Sequence, residues 1–424
     1  MYNLKMKEFL LPLLLALPLP AQAGGPCGNF DRPAKELAAL VTEAPSGLEK
    51  VFDKSLFSYV SREKLALVLS DLRRDSGAVR ARVFVSSDNA CSAHFLFDTD
   101  KGYRVPTALT LNPDTGRLSG VFFGVPYRAD MTLAKARAEL AALPGRTSLL
   151  AIKLGEKPEA VETLNENEQF ASGSAFKLYV LGALLEEKFP WDKVVRLRDE
   201  DKSLPSGKLR GWPEGAPLTA HTLAALMISE SDNTATDALI AALGRRRIEA
   251  ALPALGHSNP YLLRPFLTTG EFFRLKADSE AALKYQNLAV EERYDFLKSL
   301  KKRPLSPEGL RQSPFALNGV EWLISPGDMC RAMDYFLRKD SREALEILAV
   351  NTGLAMPPGK YLYAGYKGGS EPGVLSMAWL LKNSRSEWYC LAAAWNNEAA
   401  NLEEKKFFAV MQGALSALAG RGAE

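Results

Sequence analysis

Apolar and polar positions divide the chain into two regions with different orders of secondary structure. Between residues 33 and 72 the apolar spacing is helical, over 36–41, 48–59 and 62–72. Four strand-like stretches follow, at 78–86, 93–97, 103–111 and 117–125. Asp, Gly, Asn and Pro separate these stretches, as expected for the turns of a meander. The pattern therefore predicts a small α+β domain over residues 24–130.

The rest of the chain, residues 131–424, combines helical patterns with further strand-like stretches. Two stretches, 148–153 and 160–164, precede a long helical block. Three more stretches and an amphipathic helix follow it, at 363–368, 374–381, 388–395 and 401–418. Short antiparallel strands interrupted by helices predict an α/β sandwich, in which an antiparallel sheet is flanked by helices. The whole chain is thus expected to belong to the α+β class.

The N-terminus has the pattern of a cleaved secretory signal. Lys5 and Lys7 precede an apolar run over residues 9–19, and Ala21-Gln-Ala23 has small residues spaced for cleavage. The run is shorter than a transmembrane helix requires. We therefore predict a signal peptide over residues 1–23 and a secreted or periplasmic protein.

An oxidising compartment would favour disulfide bonds among the four cysteines. Cys27 and Cys91 both lie in the first predicted domain, and we favour them as a pair. We interpret Cys330 and Cys390 as buried thiols, although four cysteines allow three pairings.

Composition narrows the classes of function. The chain has 47% apolar residues, 24% charged residues and a net charge of +3, which gives no strong attraction to nucleic acid or an anionic membrane. Its three histidines, His94, His221 and His257, are not spaced as metal ligands. We expect a monomer that needs no metal or cofactor and whose catalytic base is not histidine.

The candidate chemistry begins with Ser174 and Lys177, where a Gly-marked turn meets an apolar helical pattern. In a helix that begins at Ser174, side chains three residues apart share one face, so the amine can reach the hydroxyl. A lysine in this position can activate a serine nucleophile. The same Ser-x-x-Lys spacing occurs at Ser61–Lys64 and Ser299–Lys302, so the pattern alone is weak.

Two downstream motifs distinguish Ser174 from the other matches. Ser231-Asp232-Asn233 follows at the end of a predicted helix, and Lys367-Gly368-Gly369-Ser370 lies on a predicted strand. Taken singly, these would be a helix cap and a turn. In this order and spacing, residues 131–418 resemble class A β-lactamases and penicillin-binding proteins. The two-domain layout is also similar to the serine hydrolase of clavulanate-biosynthesis clusters, and the first domain resembles nuclear-transport-factor-like folds.

The resemblance implies a serine acylation mechanism. Ser174 would be the nucleophile, Lys177 its base, and Ser231 a proton relay oriented by Lys367. Asn233 would hold a substrate carbonyl. The implied oxyanion site lies between the N–H groups of Ser174 and Ser370, with Gly369 allowing close approach of the backbone.

Two departures from the family pattern concern the substrate and its release. Gly368 replaces the hydroxyl residue in the middle of the Lys-Thr/Ser-Gly motif, so a hydroxyl that meets the substrate carboxylate is missing. Either Ser370 takes its place or the carboxylate is recognised more weakly. The Glu-x-x-Leu-Asn loop that drives deacylation is also missing, and Glu271 is the one carboxylate in the corresponding stretch 259–271. Glu271 either assists deacylation or forms a capping box with Thr268.

We therefore predict an exported serine hydrolase that acylates on Ser174 and acts on β-lactams or on related esters or amides. Two alternatives remain open from the sequence. One is a D-Ala peptidase of the penicillin-binding type acting on peptidoglycan peptides. The other is a non-catalytic β-lactam or cell-wall sensor, which would not need every proton-transfer group.

Overall fold

The computed structural model describes residues 27–43, 45–301, 303 and 306–421, and the predicted signal peptide lies outside them. Spatial contacts divide the chain into two compact units. The small unit comprises residues 27–136, Leu354–Tyr361 and 405–421, and the large unit comprises Arg137–Gly353 and Leu362–Glu404. These units are defined by spatial contacts between residues, whereas the predicted domains are continuous segments of the sequence. The domain boundary at residue 130 stays a prediction.

The small unit contains the helices and the meander that the apolar pattern predicts. In chain order its elements are α1 (Asp31–Thr42), α2 (Leu48–Val51), α3 (Arg62–Ser76), β1 (Val79–Asn89), β2 (Ser92–Thr99), β3 (Tyr103–Leu111), β4 (Leu118–Phe123) and β5 (Tyr127–Arg128). The antiparallel sheet has the order β1-β2-β3-β4, and β5 pairs with β3. Leu37 and Leu69 from the helices and Phe97 and Leu109 from the sheet lie in one buried cluster. The likeness to nuclear-transport-factor-like folds stays a prediction.

One predicted helix of the small unit, over residues 48–59, is much shorter in the structure. It ends at Val51, and a single 3₁₀ turn follows at Leu56–Ser58. The side chain of Asp53 accepts hydrogen bonds from the backbone N–H and the hydroxyl of Ser55, at 3.0 and 2.7 Å. Such local side-chain bonds compete with helical ones, so the apolar spacing alone overestimates the helix.

The large unit combines a five-stranded sheet with a block of helices. The chain continues as α4 (Leu133–Ala141), β6 (Arg146–Lys153), β7 (Glu159–Leu164), β8 (Phe170–Ala171), α5 (Lys177–Glu186), β9 (Val194–Arg196), β10 (Pro217–Thr219), α6 (Ala220–Ser229), α7 (Asn233–Leu243), α8 (Arg245–Ala251), α9 (Thr269–Ala277), α10 (Ser279–Asn287), α11 (Val290–Leu300), β11 (Leu323–Ile324), α12 (Pro326–Lys339), α13 (Arg342–Ala349), β12 (Tyr361–Glu371), β13 (Val374–Asn383), β14 (Trp388–Asn396) and α14 (Glu404–Gly420). Contacts assign α14 to the small unit from residue 405 onward.

The sheet of the large unit has the order β12-β13-β14-β6-β7. Neighbouring strands from β13 to β7 pair antiparallel, for example with Ala392 of β14 opposite Leu150 of β6. Nearly every residue of β13 and β14 is buried, which is typical of strands covered on both faces. The predicted antiparallel sheet flanked by helices is confirmed.

Helix α5 is the centre of the helical block. Residues 177–184 are all buried, so the helix has no solvent-facing stripe, as expected for a core helix. It packs against α6, α7, α8 and α12. A rigid, buried helix of this kind fixes the position of its first residue, Lys177.

Both pairs of cysteines form disulfides. Cys27–Cys91 is confirmed, whereas the interpretation of Cys330 and Cys390 as free thiols is wrong, because these two residues are bonded to each other. Cys330 lies on α12 and Cys390 on β14. The sequence does not show that this helix packs on this strand, so it does not predict the bond. Among the described residues, none of the helices has the length and apolar character to cross a membrane.

Candidate active site

Ser174 lies in a 3₁₀ turn, Gly173–Phe176, that leads directly into α5. The α-helix therefore begins at Lys177, three residues later than the sequence suggested. The turn follows Ser172, whose Oγ donates to Trp322 O at 2.8 Å and whose carbonyl accepts from Ser376 Oγ at 2.6 Å. These anchors hold the chain in a tight turn. With three residues per turn, Ser174 and Lys177 still project to the same side.

The backbone around Ser174 touches the backbone of β12. A β-carbon placed on Gly369 would lie 2.3 Å from Ser174 N, and one placed on Gly173 would lie 2.9 Å from Ser370 N. Gly173 has a φ of +49°, which also favours glycine. The two amides proposed as oxyanion donors thus belong to segments in direct contact.

This contact makes Gly369→Ala a sharp test of the oxyanion site. The added methyl would also lie 2.2 Å from Ser172 O, so the strand must move away from the turn. Loss of one oxyanion donor lowers rates by about 100- to 1,000-fold, and we expect a loss of this order in acylation rate, measured by stopped flow. Gly211→Ala is the matched control, because a β-carbon there meets nothing within 4 Å. Equal acylation rates in both variants would contradict the assignment.

Lys177 is fully buried, with its amine held by the Ser-Asp-Asn motif. Its Nζ lies 2.6 Å from Asn233 Oδ1, 2.7 Å from Ser231 O and 3.0 Å from Ser231 Oγ. Burial, and then the charge of Lys367, hold the pKa of the Lys177 amine well below its ordinary value. A buried amine with a lowered pKa can accept a proton near neutral pH.

Lys367 approaches the same hydroxyl from β12. Its Nζ lies 3.2 Å from Ser231 Oγ and 2.6 Å from Gly368 O. Burial lowers the pKa of Lys367 to about 7. Ser231 Oγ therefore bridges two amines, a position from which a hydroxyl can pass protons in either direction.

Ser231 is itself in a constrained conformation, with a φ of +54°. Its carbonyl accepts hydrogen bonds from Lys177 Nζ and from Ser206 Oγ, the latter at 2.7 Å. The backbone N–H of Asn233 donates to Ser206 O at 3.1 Å. The segment around Ser206 thus holds the turn in a conformation that an unsupported serine rarely adopts.

The same segment also fixes Asp232, the middle residue of the motif. Asp232 caps α7 through Ala235 N at 2.8 Å and accepts from Lys208 N at 2.6 Å. A β-carbon on Gly207 would lie 2.1 Å from Asp232 Cγ, so this glycine leaves room for the carboxylate. The Ser206-Gly207 dipeptide is a turn signal in the sequence, but nothing in it indicates which motif the turn supports.

Asn233 is buried beside Lys177. Its Oδ1 accepts from Lys177, while Nδ2 donates to Leu204 O at 2.6 Å. The amide nitrogen carries two hydrogens, so one remains for a substrate carbonyl.

Of the two roles considered for Glu271, deacylation or a capping box with Thr268, the structure shows the capping box. Glu271 closes this box at the start of α9, and both of its carboxylate oxygens lie 2.6 Å from the same Arg245 nitrogen. The side chain is only 2% exposed. A carboxylate that is bound to a guanidinium and to a helix N-terminus is poorly placed to take a proton from water. Among the described residues, no group of three or more His, Cys, Asp or Glu side chains is placed to hold a metal ion.

Comparison with protein families agrees with this arrangement. A sequence model of the beta-lactamase enzyme family matches residues 132–409. The chain belongs to this family. It is a serine β-lactamase-like hydrolase, and the predicted resemblance is confirmed. Comparison with curated proteins found no match.

The comparison with solved structures found similar chains at low sequence identity. A β-lactamase from Sphaerobacter thermophilus DSM 20745 is 21% identical, with a TM-score of 0.48 over 68% of this chain and 95% of its own. A β-lactamase from Chitinophaga pinensis DSM 2588 is 16% identical, with a TM-score of 0.46 over 68% and 98%. The penicillin-binding protein PBP-A is 15% identical, with a TM-score of 0.47 over 68% and 94%.

Proposed function

We propose that this protein is an exported serine acyl-hydrolase that forms an acyl-enzyme on Ser174 with β-lactams or related esters or amides. The observation that carries the proposal is the buried amine of Lys177, bonded to Ser231 and Asn233 and close to Lys367. Burying two lysine amines is unfavourable in free energy. A site that needs a neutral amine to accept a proton gives a reason for this burial. The two disulfides support export, because such bonds persist in oxidising compartments.

The proposed reaction uses these groups in sequence. Ser174 Oγ attacks the carbonyl carbon while its proton passes to Lys177 Nζ, and the negative charge develops on the carbonyl oxygen. The carbon–nitrogen bond of the substrate then breaks. Ser231 Oγ gives a proton to the leaving nitrogen and regains one from the neighbouring amines, Lys177 or Lys367. Water finally hydrolyses the ester on Ser174.

The second half of this cycle is expected to be slow with β-lactams. Since both carboxylate oxygens of Glu271 are bound to Arg245, this carboxylate is poorly placed to activate the water of the proposed second step. Incubation with a penicillin should therefore give one acyl adduct per protein that persists over minutes, followed by intact-mass spectrometry. A simple ester and a chromogenic cephalosporin, tested in parallel, show which acyl groups clear.

The same experiment separates the alternatives. Rapid release of penicilloate would show an efficient lactamase and contradict slow deacylation. A stable adduct together with release of D-Ala from a peptidoglycan peptide would favour the penicillin-binding peptidase, an alternative that the geometry of Glu271 also supports. Absence of any adduct from folded protein would leave the non-catalytic sensor.

A further inference from the structure

The missing hydroxyl of the Lys-Gly-Gly motif has a structural counterpart nearby. A β-carbon placed on Gly368 would lie 2.0 Å from the hydroxyl oxygen of Tyr366 and 2.8 Å from the ring carbon that bears it. It would also lie 2.9 Å from Ser376 O. The φ of Gly368 is outside the left-handed region, so the backbone does not demand glycine here. The Tyr366 hydroxyl and the Ser376 carbonyl oxygen together occupy the space that a side chain at this position would need.

The Tyr366 hydroxyl reaches this place because of the strand geometry of β12. Residues two apart in a strand point to the same face, so Tyr366, Gly368 and Ser370 line one face. The Tyr366 ring packs against Trp379, with ring centroids 5.0 Å apart. A β-carbon on Gly353 would lie 2.5 Å from the ring, so this glycine makes room for it. The ring is therefore held with its hydroxyl over Gly368.

The hydroxyl has chemistry suited to binding an anion. Burial raises the pKa of the Tyr366 phenol, so the group stays protonated and donates a hydrogen bond. Gly369 contacts the Ser174 turn, and the Tyr366 hydroxyl lies over Gly368, the preceding residue of β12. The hydroxyl is therefore one residue along the strand from the point where β12 meets that turn.

We propose that the Tyr366 hydroxyl replaces the missing motif hydroxyl and donates a hydrogen bond to the carboxylate of the substrate. This inference rests on the proposed function, because it assigns part of the same site. It makes Tyr366 a substrate-binding residue and implies a preference for acyl donors that carry a free carboxylate, as penicillins do.

The test compares a penicillin with its methyl ester, which lacks the anionic carboxylate. In Tyr366→Phe the ring and its packing remain. Because a hydrogen bond to a charged group is strong, acylation efficiency with the free acid should fall about 10- to 100-fold, mainly through weaker binding. With the methyl ester it should change by less than about 2-fold.

Tyr363 offers a matched control on the same strand. The Tyr363 hydroxyl lies over Gly365, much as the Tyr366 hydroxyl lies over Gly368, but on the opposite face of the strand. The Tyr363 hydroxyl donates a hydrogen bond to Leu345 O at 2.8 Å. Tyr363→Phe should leave the ratio of the two substrates unchanged. In a second variant, Tyr366→Ala should also lose the preference for the free acid.

A loss in Tyr366→Phe that is equal for both substrates, or no loss at all, would overturn the inference and leave the proposed function intact. If wild-type protein were acylated by neither substrate, the proposed function would fail first, and this inference would fail with it. Thermal unfolding of each variant shows that the measured protein is folded.

Discussion

Replacing Ser174 with alanine is expected to abolish the acyl adduct and to lower turnover by at least about 1,000-fold. The hydroxyl is the atom that forms the ester in the proposed reaction, and alanine has no oxygen to take its place. Intact-mass spectrometry after incubation with a penicillin, together with turnover of a chromogenic cephalosporin, measures both effects. The variant should fold normally, because Ser174 lies in a 3₁₀ turn that is anchored mainly by Ser172.

Ser61→Ala is the matched control for this experiment. Ser61 stands in the same Ser-x-x-Lys spacing, but its Oγ accepts from Lys64 N at 3.2 Å and caps α3 in the small unit. Its removal should leave acylation unchanged. An adduct that formed equally in Ser174→Ala would refute the nucleophile assignment, and peptide mapping would then locate the true site.

The second large effect is expected for Lys177→Met, which removes the proposed base. General-base catalysis contributes about 100- to 10,000-fold, and we expect acylation to slow by this order. Lys177→Arg should be equally impaired, since a guanidinium donates hydrogen bonds but cannot accept a proton at neutral pH. Pre-steady-state acylation rates for wild type and both variants provide the measurement.

The pH dependence gives this prediction a definite sign. Because the pKa of Lys177 is held low by burial and by Lys367, the amine loses its proton at lower pH than an ordinary lysine. The wild-type acylation rate should therefore rise with pH through this lowered pKa and then level off. In Lys177→Met that rise should disappear. Acylation that kept both its rate and its pH profile in the variant would exclude Lys177 as the base.

The order of the motifs led to residues that lie together in the structure. Lys177, the Ser231–Asn233 motif and Lys367 are far apart in sequence, yet their side chains form one hydrogen-bonded group. Lys177 and Asn233 begin helices whose apolar pattern is strong, and Lys367 lies within β12. The roles of these residues stay proposals until the variants are measured.

Other features depend on contacts that no local pattern encodes. The helical spacing extends to Ser174, but tertiary hydrogen bonds to Ser172 turn the first residues into a 3₁₀ turn. The support of Ser231 by Ser206 joins a loop to a turn 25 residues away. Tyr366 looked like one more apolar strand residue, and only the three-dimensional position of its hydroxyl gives it a candidate role.

The close contact between Gly369 and the Ser174 turn also affects how this protein should be surveyed by mutagenesis. Alanine scanning removes side-chain atoms, so it probes Ser174 or Lys177 well but treats a glycine as already minimal. At Gly369 the informative change is the addition of a single methyl group, because the main chains of the turn and the strand leave no space for one. Deep mutational libraries should therefore show a position that tolerates no substitution, although it has no side chain to lose.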